Sequence, residues 1–253
     1  MQGSKAAGTC HICMSWGQLT DEHVIPRSSG NRNTVRVHTL TSIANGLKTG
    51  ERHHKGLVKE TLCERCNNDL AGVHFVPGFK RWTNEALTYY PRVREGELIA
   101  LPFHSGGLSI AKQIGVMTLA MSPLASLKLP HFERLRRFVM SPQRSEFVPS
   151  FRFLTYFHHG PPVFEGPFGT IDFFSGKPSP YVYCAIGLEP LGYVITSDGE
   201  SSLDWIKLNQ LCDITHFCRR SYAGARADFL IIPARTGRLP FLPNRMVGTS
   251  ASA

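Results

Sequence analysis

Four cysteines stand in two matched pairs near the start of the chain, Cys10-His11-Ile12-Cys13 and Cys63-Glu64-Arg65-Cys66. A two-residue gap lets both sulfurs of one turn reach one ion, and four thiolates in a tetrahedron are the ligand set of a structural zinc site. A site closed by four thiolates keeps no position open for substrate, so the expected Zn2+ is structural. Folding of so short a module would depend on it, because zinc binding can contribute about 10 kcal/mol. The pairs are separated by 49 residues (14–62), more than the about 15–20 of simple zinc ribbons, so the spacing predicts an insertion. Inside it lies Asp21-Glu22-His23-Val24-Ile25-Pro26, with Pro26 forcing a turn where a strand ends. A neutral His23 there could take a proton from water, and the Glu22 carboxylate beside it could hold a divalent cation. Cys184, Cys212 and Cys218 lie in or beside apolar segments and read as small buried hydrophobes.

Positioning these residues takes a folded frame, and the composition allows one. The 253 residues are 42% hydrophobic and 19% charged, enough to bury a core. No apolar run approaches the roughly 18 residues of a membrane span, and the N-terminus runs into the first cysteine pair with no apolar signal segment. The expectation is a cytoplasmic protein, where reduced thiols favour metal over disulfides. A net charge of +9 suits a polyanionic partner such as nucleic acid, through phosphate contacts and counterion release, and no membrane.

The fold class read from the pattern is α+β. Residues 1–8 read as a flexible tail and 9–74 as a small zinc module of short segments. Residues 75–240 read as an α+β domain with two helices and then a mostly antiparallel sheet, and 241–253 as a frayed C-terminus. Within the module, Thr34–Leu40 alternates as a strand, 45–56 reads as a polar basic loop, and Leu57–Leu62 reads as a return strand. Asn67–Ala71 is expected to form a helical turn closed by Gly72. Further on, a short helix is expected over Arg81–Tyr89, a buried one over Ser109–Met121 capped by Ser109, and a third over His131–Met140 with its arginines outward. Strands are expected over Ser150–Phe157, Thr170–Phe174, Tyr181–Gly187, Leu191–Ile195 and Ala227–Ile232, and a helix around Leu203–Gln210. Phe151, Phe153, Tyr156 and Phe157 are placed in the core, and Arg134, Arg136 and Arg137 on an outer helix face.

The order Cys-x-x-Cys, Glu22-His23-Val24-Ile25-Pro26, Leu62-Cys63-x-x-Cys66-Asn67-Asn68 resembles the HNH endonuclease family, whose fold is the ββα-metal (His-Me) finger on a treble-clef zinc site. The resemblance spans roughly residues 9–72. It implies phosphodiester hydrolysis with His23 as general base, and one Mg2+ or Mn2+ held by Glu22 and Asn67, with Asn68 as the alternative ligand. It also implies DNA ahead of RNA as substrate, and defence, mobile-element or restriction-like settings. The phosphate-clamping residues would be Arg27, Arg32, Lys55 and the pair His53-His54. The sequence departs from the family at Val58, where a middle asparagine that orients the histidine is expected. Asn45, His53, His54 or a backbone carbonyl could take its place. A non-catalytic zinc finger that binds nucleic acid or protein is the alternative reading, and residues 75–240 would supply targeting, control, a homodimer contact or a regulatory partner's surface.

Overall fold

In the computed structural model the described residues are 6–37, 51–103, 106–143, 151–160, 162–171, 178–197, 211–215 and 228–236. The chain opens with strand β1 (Ala7–Thr9), antiparallel to β2 (Trp16–His23), with Ala7 opposite Gln18. The tail expected over 1–8 therefore ends early, because Ala7 and Gly8 find a ladder partner. A Cβ at Gly8 would sit 2.8 Å from Leu19 Cδ1, so a larger residue there would have to displace the Leu19 side chain. Strand β2 pairs on its other side with β5 (Val58–Cys63), giving a three-stranded sheet ordered β1-β2-β5. Between them, β3 (Val35–Val37) pairs with β4 (Glu51–His53) as a separate two-stranded ribbon. Glu51–His53 is thus strand and not the loop expected across 45–56, and 45–50 lie outside the described residues.

After β5 the backbone coils at once into a π-helical segment, Arg65–Gly72. It continues into α1 (Val76–Tyr89), which starts five residues ahead of the expected Arg81. Pro77 and Gly78 look like breakers in sequence, yet both lie in the first turn. A proline's missing N–H costs nothing there, and a Cβ at Gly78 would stand 3.0 Å from Ser109 Cβ. Strand β6 (Leu98–Phe103), not anticipated from the sequence, leads to α2 (Gly107–Met121) and α3 (Pro130–Met140). Helix α2 is capped by Gly106 at φ +129°, not by Ser109, and only glycine adopts that backbone readily.

Strands β7 (Phe151–His159), β8 (Val163–Ile171), β9 (Pro178–Leu188), β10 (Leu191–Ser197), β11 (Cys212–Asp213) and β12 (Asp228–Thr236) complete the described elements. With β6 they form one sheet, ordered β6-β12-β7-β10-β9-β8, with β11 also on β7. All its pairings are antiparallel except β12 with β7. The fold is α+β, as the sequence pattern implies. Residues 172–174, the helix expected around 203–210 and the C-terminal segment from 240 lie outside the described residues.

Helices cover one face of the large sheet. Phe79 of α1 meets Tyr193 of β10 at 5.3 Å between ring centroids, Phe138 of α3 meets Phe153 of β7 at 6.2 Å, and Trp82 stands edge-on to Phe103 at 5.1 Å. Phe151, Phe153, Tyr156 and Phe157 are buried as expected. Helix α2 is apolar nearly all round, as a helix enclosed by protein must be, and Gly115 lets Val139 and Leu135 of α3 close onto it. A single apolar cluster runs from Cys10 and Ile12 through α1 and α2 to Ile232, so buried residues on both sides of positions 74 and 75 pack together. No helix among the described residues is long and apolar enough to cross a membrane.

Lys112 is buried within α2. Its Nζ donates to the carbonyls of Phe138 and, at 2.8 Å, of Ser141, and lies 4.0 Å from the centroid of the Phe138 ring. The amine therefore caps carbonyls at the end of α3 that have no helical partner. Burial pushes its pKa down to about 8. Between that value and the ordinary lysine range the unfolded chain binds a proton that the folded chain does not, so this group's contribution to stability rises with pH. We expect the stability difference between wild type and Lys112→Met to move in favour of wild type from pH 8 to pH 10, measured as the shift between their urea midpoints. A pH-independent difference would rule out this linkage.

Candidate functional site

The first cysteine pair sits on a tight knuckle between β1 and β2. Cys10 N donates to Ser15 O and Met14 N to Cys10 O, both at 2.9 Å, and Met14 adopts φ +61° to close the turn. The second pair sits where β5 ends and the π-helical segment begins. His11 N reaches across to Thr61 O at 2.9 Å and locks the knuckle onto β5. The four sulfurs all lie within 4.8 Å of one another, and Cys13 Sγ is 3.8 Å from Cys63 Sγ. Zinc–sulfur bonds of about 2.3 Å require a tetrahedral edge of about 3.8 Å, so the donor set fits such an ion. Among the described residues no other group of three or more His, Cys, Asp or Glu converges in this way.

The electrostatics of the cluster point the same way. The Cys66 thiol donates to the Cys10 sulfur, which holds Cys10 far below the ordinary thiol range and Cys66 above it. Burial and the Cys10 charge raise Cys63 as well. Four thiols this close cannot all ionise unless a cation neutralises them. His11 then ties the knuckle to the rest of the fold, its Nδ1 donating to Leu119 O at 3.0 Å at the C-terminal end of α2.

His23 is the last residue of β2 and lies directly opposite Val58 of β5. Its side chain is half-buried, and Nε2 has no hydrogen-bonding partner among the described residues. Burial and the Arg27 charge lower its pKa, against the opposing pull of Lys55 and Asp21. The neutral, basic form of the ring is therefore the favoured one. A lone pair on a buried nitrogen is what a general base presents.

Consecutive strand residues point to opposite faces, so Glu22 turns inward as His23 turns to the rim. Its carboxylate is only 3% exposed and accepts from Thr61 Oγ1 at 3.1 Å. Burial pushes its pKa well above the usual carboxylate range, and the Cys10 charge adds to the shift. Asn67 stands against the same strand, its Nδ2 donating to Thr20 Oγ1 at 3.0 Å and to Asp21 O at 3.3 Å. Its Oδ1 accepts no hydrogen bond among the described residues. Asn68 is exposed and makes no such bond to β2. Arg27, Arg32, His54 and Lys55 are exposed and His53 is half-buried. Arg32 Nε donates to Arg27 O at 3.2 Å.

Of the groups expected to stand in at position 58, Asn45 lies outside the described residues and His53 is held in β4. Asn31 was not foreseen. It is fully buried, and its amide bonds three times to backbone at Ile25 and Leu57, just beyond the end of the β2–β5 ladder. The cue available in sequence was an asparagine ahead of a strand, which alone is indistinguishable from a turn residue. Cys184 is buried and Cys212 half-buried, as small hydrophobes, while Cys218 lies outside the described residues. Arg134 and Arg137 are exposed, Arg137 paired with Glu133.

No protein-family model, curated protein or solved structure matches this chain. Purified protein should carry about one zinc per chain by elemental analysis. Cys63→Ser should lose most of that metal and unfold the module around β2 and β5. Full metal content in a stable Cys63→Ser protein would rule the site out.

Proposed function

We propose that the chain is a metal-dependent endonuclease of the HNH type that hydrolyses phosphodiester bonds, with DNA as its substrate. One observation carries this reading. His23 presents an unpartnered, buried Nε2 at the end of a strand whose neighbour runs into the four-cysteine cluster. An imidazole kept neutral by burial is prepared to take a proton from water.

Each residue then has a separate task. His23 deprotonates the water that attacks phosphorus. The Oδ1 of Asn67 would supply an amide oxygen, and Glu22 a carboxylate if it turned from its inward place beside Thr61, the hard donors that Mg2+ or Mn2+ prefers. A buried carboxylate with one hydroxyl donor among the described residues is a group that a cation would stabilise in its charged form. When bound, that cation would neutralise charge on the pentacovalent phosphorus and the leaving oxygen. Exposed Arg27, Arg32, His54 and Lys55 give the rim the sign that flanking phosphates need. The four cysteines hold zinc as a frame and take no part in the reaction.

A non-catalytic zinc finger is the second reading. It is favoured by the engagement of both proposed cation ligands, Glu22 with Thr61 and Asn67 with Thr20 and Asp21. Incubation with supercoiled plasmid, single-stranded DNA and RNA, in Mg2+ or Mn2+, separates the two. We expect metal-dependent cleavage of DNA by wild type, and a loss of roughly 10²–10⁴-fold in rate for folded, zinc-loaded His23→Ala. Cleavage of RNA alone would move the substrate class. The absence of cleavage by zinc-loaded wild type on every substrate would leave the zinc-finger reading.

A further inference from the structure

We propose that strand β6 is the seam of a homodimer, pairing antiparallel with β6 of a second copy of this chain around a twofold axis at Ala100. The large sheet ends in β6 on one side and in β8 on the other, and the two edges are built differently. Strand β8 loses register with β9 twice, between Glu165 and Phe168 and between Gly169 and Ile171, and its sequence carries Glu165 and Pro167. Bulges, charges and prolines are the devices that keep an edge from pairing with another strand. Strand β6, Leu98-Ile99-Ala100-Leu101-Pro102-Phe103, keeps one register with β12 along its length and holds no charged residue. Of those devices it has Pro102 alone.

Backbone direction fixes which groups this edge offers. Ala234 N donates to Glu97 O at 2.9 Å and Gly96 N donates to Ala234 O at 3.1 Å, so Ala234 turns its peptide groups towards β6. Alternation along the ladder then bonds Ile232, Leu230 and Asp228 to Ile99, Leu101 and Phe103. Leu98, Ala100 and Pro102 turn their peptide groups away from β12, where no described strand meets them. The side chains alternate too. Leu101 and Phe103 are buried, Phe103 against Trp82 of α1, whereas Leu98 is 68% exposed, Ala100 is exposed, and Ile231, opposite Ala100 on β12, is 54% exposed. A second copy fits because this pattern is its own complement. With the axis at Ala100, each Ala100 N–H meets the partner's Ala100 carbonyl, and each Leu98 N–H meets the partner's Pro102 carbonyl. The outer face then carries an unbroken apolar row across the seam: Ile231, Ala100, the partner's Ala100 and the partner's Ile231. Six residues of strand span about 20 Å, which puts the seam among small interfaces and makes the association weak and concentration-dependent.

The test uses the full-length protein and two substitutions. Ala100→Pro removes an outward N–H that the monomer does not use, and proline is tolerated on an edge strand. Leu98→Lys adds a charge at an exposed side chain without touching the backbone, so it decides the matter where the proline variant does not fold. Light scattering after size exclusion gives the mass across the micromolar range. Wild type is expected to move from the mass of one chain towards that of two as concentration rises. Both variants should keep the mass of one chain throughout, with the wild-type melting temperature and circular dichroism. Amide hydrogen exchange reads the mode of pairing. The Leu98 and Ala100 amides should slow roughly tenfold or more as the dimer forms, while those of Ile99 and Leu101, bonded to β12, stay protected at every concentration. A wild type that is monomeric throughout, a dimer that survives the substitutions, or a dimer whose Leu98 and Ala100 amides exchange no more slowly would overturn the proposal.

Discussion

Pairing of β2 with β5 is the constraint on which the rest of the molecule rests. At one end of that ladder Leu19 faces Cys63 and delivers the second cysteine pair beside the first. At the other end His23 faces Val58 and the strands part into the loops that carry Arg27, Asn31 and Lys55. A register slip of one residue would exchange the two faces of β2, putting the Glu22 carboxylate in water and the His23 ring inside. It would also carry Cys63 out of reach of Cys13. The irregularity between Thr20 and Asp21 lies between these two ends, and Asn67 is bonded to both of its residues. The bulge is thus held from the helical side, and each end of the strand can meet its own geometric demand.

Two kinds of polar burial support this arrangement. The sulfurs could all be charged at once only with a cation among them, because crowding sets their charges against one another. Asn31 requires none, because a neutral amide can satisfy all its hydrogen-bonding groups on backbone, which costs little when every bond is made. Glu22 stands between these cases. It is buried beside one hydroxyl, with its proton favoured by its surroundings, and it is the group in this part of the molecule whose charge state depends most on what binds next to it.

Much of this was legible in the sequence because it is local. Two C-x-x-C pairs need no fold to be read, and their convergence in space follows from the chemistry of four thiols. The period of α3 and the apolar face of β7 read directly as buried surfaces. The failures share a cause. Pro77, Gly78 and Pro102 look like breakers from their residue types, yet Pro77 opens a helix and Pro102 lies in β6, which ends the sheet order among the described residues, where a missing N–H is tolerated. The parallel pairing of β12 with β7 depends on a crossover no window of sequence contains. Asn31 was illegible because its partners are backbone atoms at positions 25 and 57, which any residue would offer.

The bond from His11 to Leu119 changes what kind of object the four-cysteine part is. Small metal-centred folds are often treated as interchangeable cassettes that can be moved from chain to chain. This one is built into its host, since the knuckle is anchored to the last turn of α2 and its apolar residues continue into Phe75, Phe79 and the helices beyond. Excised at position 74, it would leave raw apolar surface on both cut faces. Recombination that swaps such units would have to carry α1 and α2 along with it, so the heritable unit here is larger than the metal site suggests.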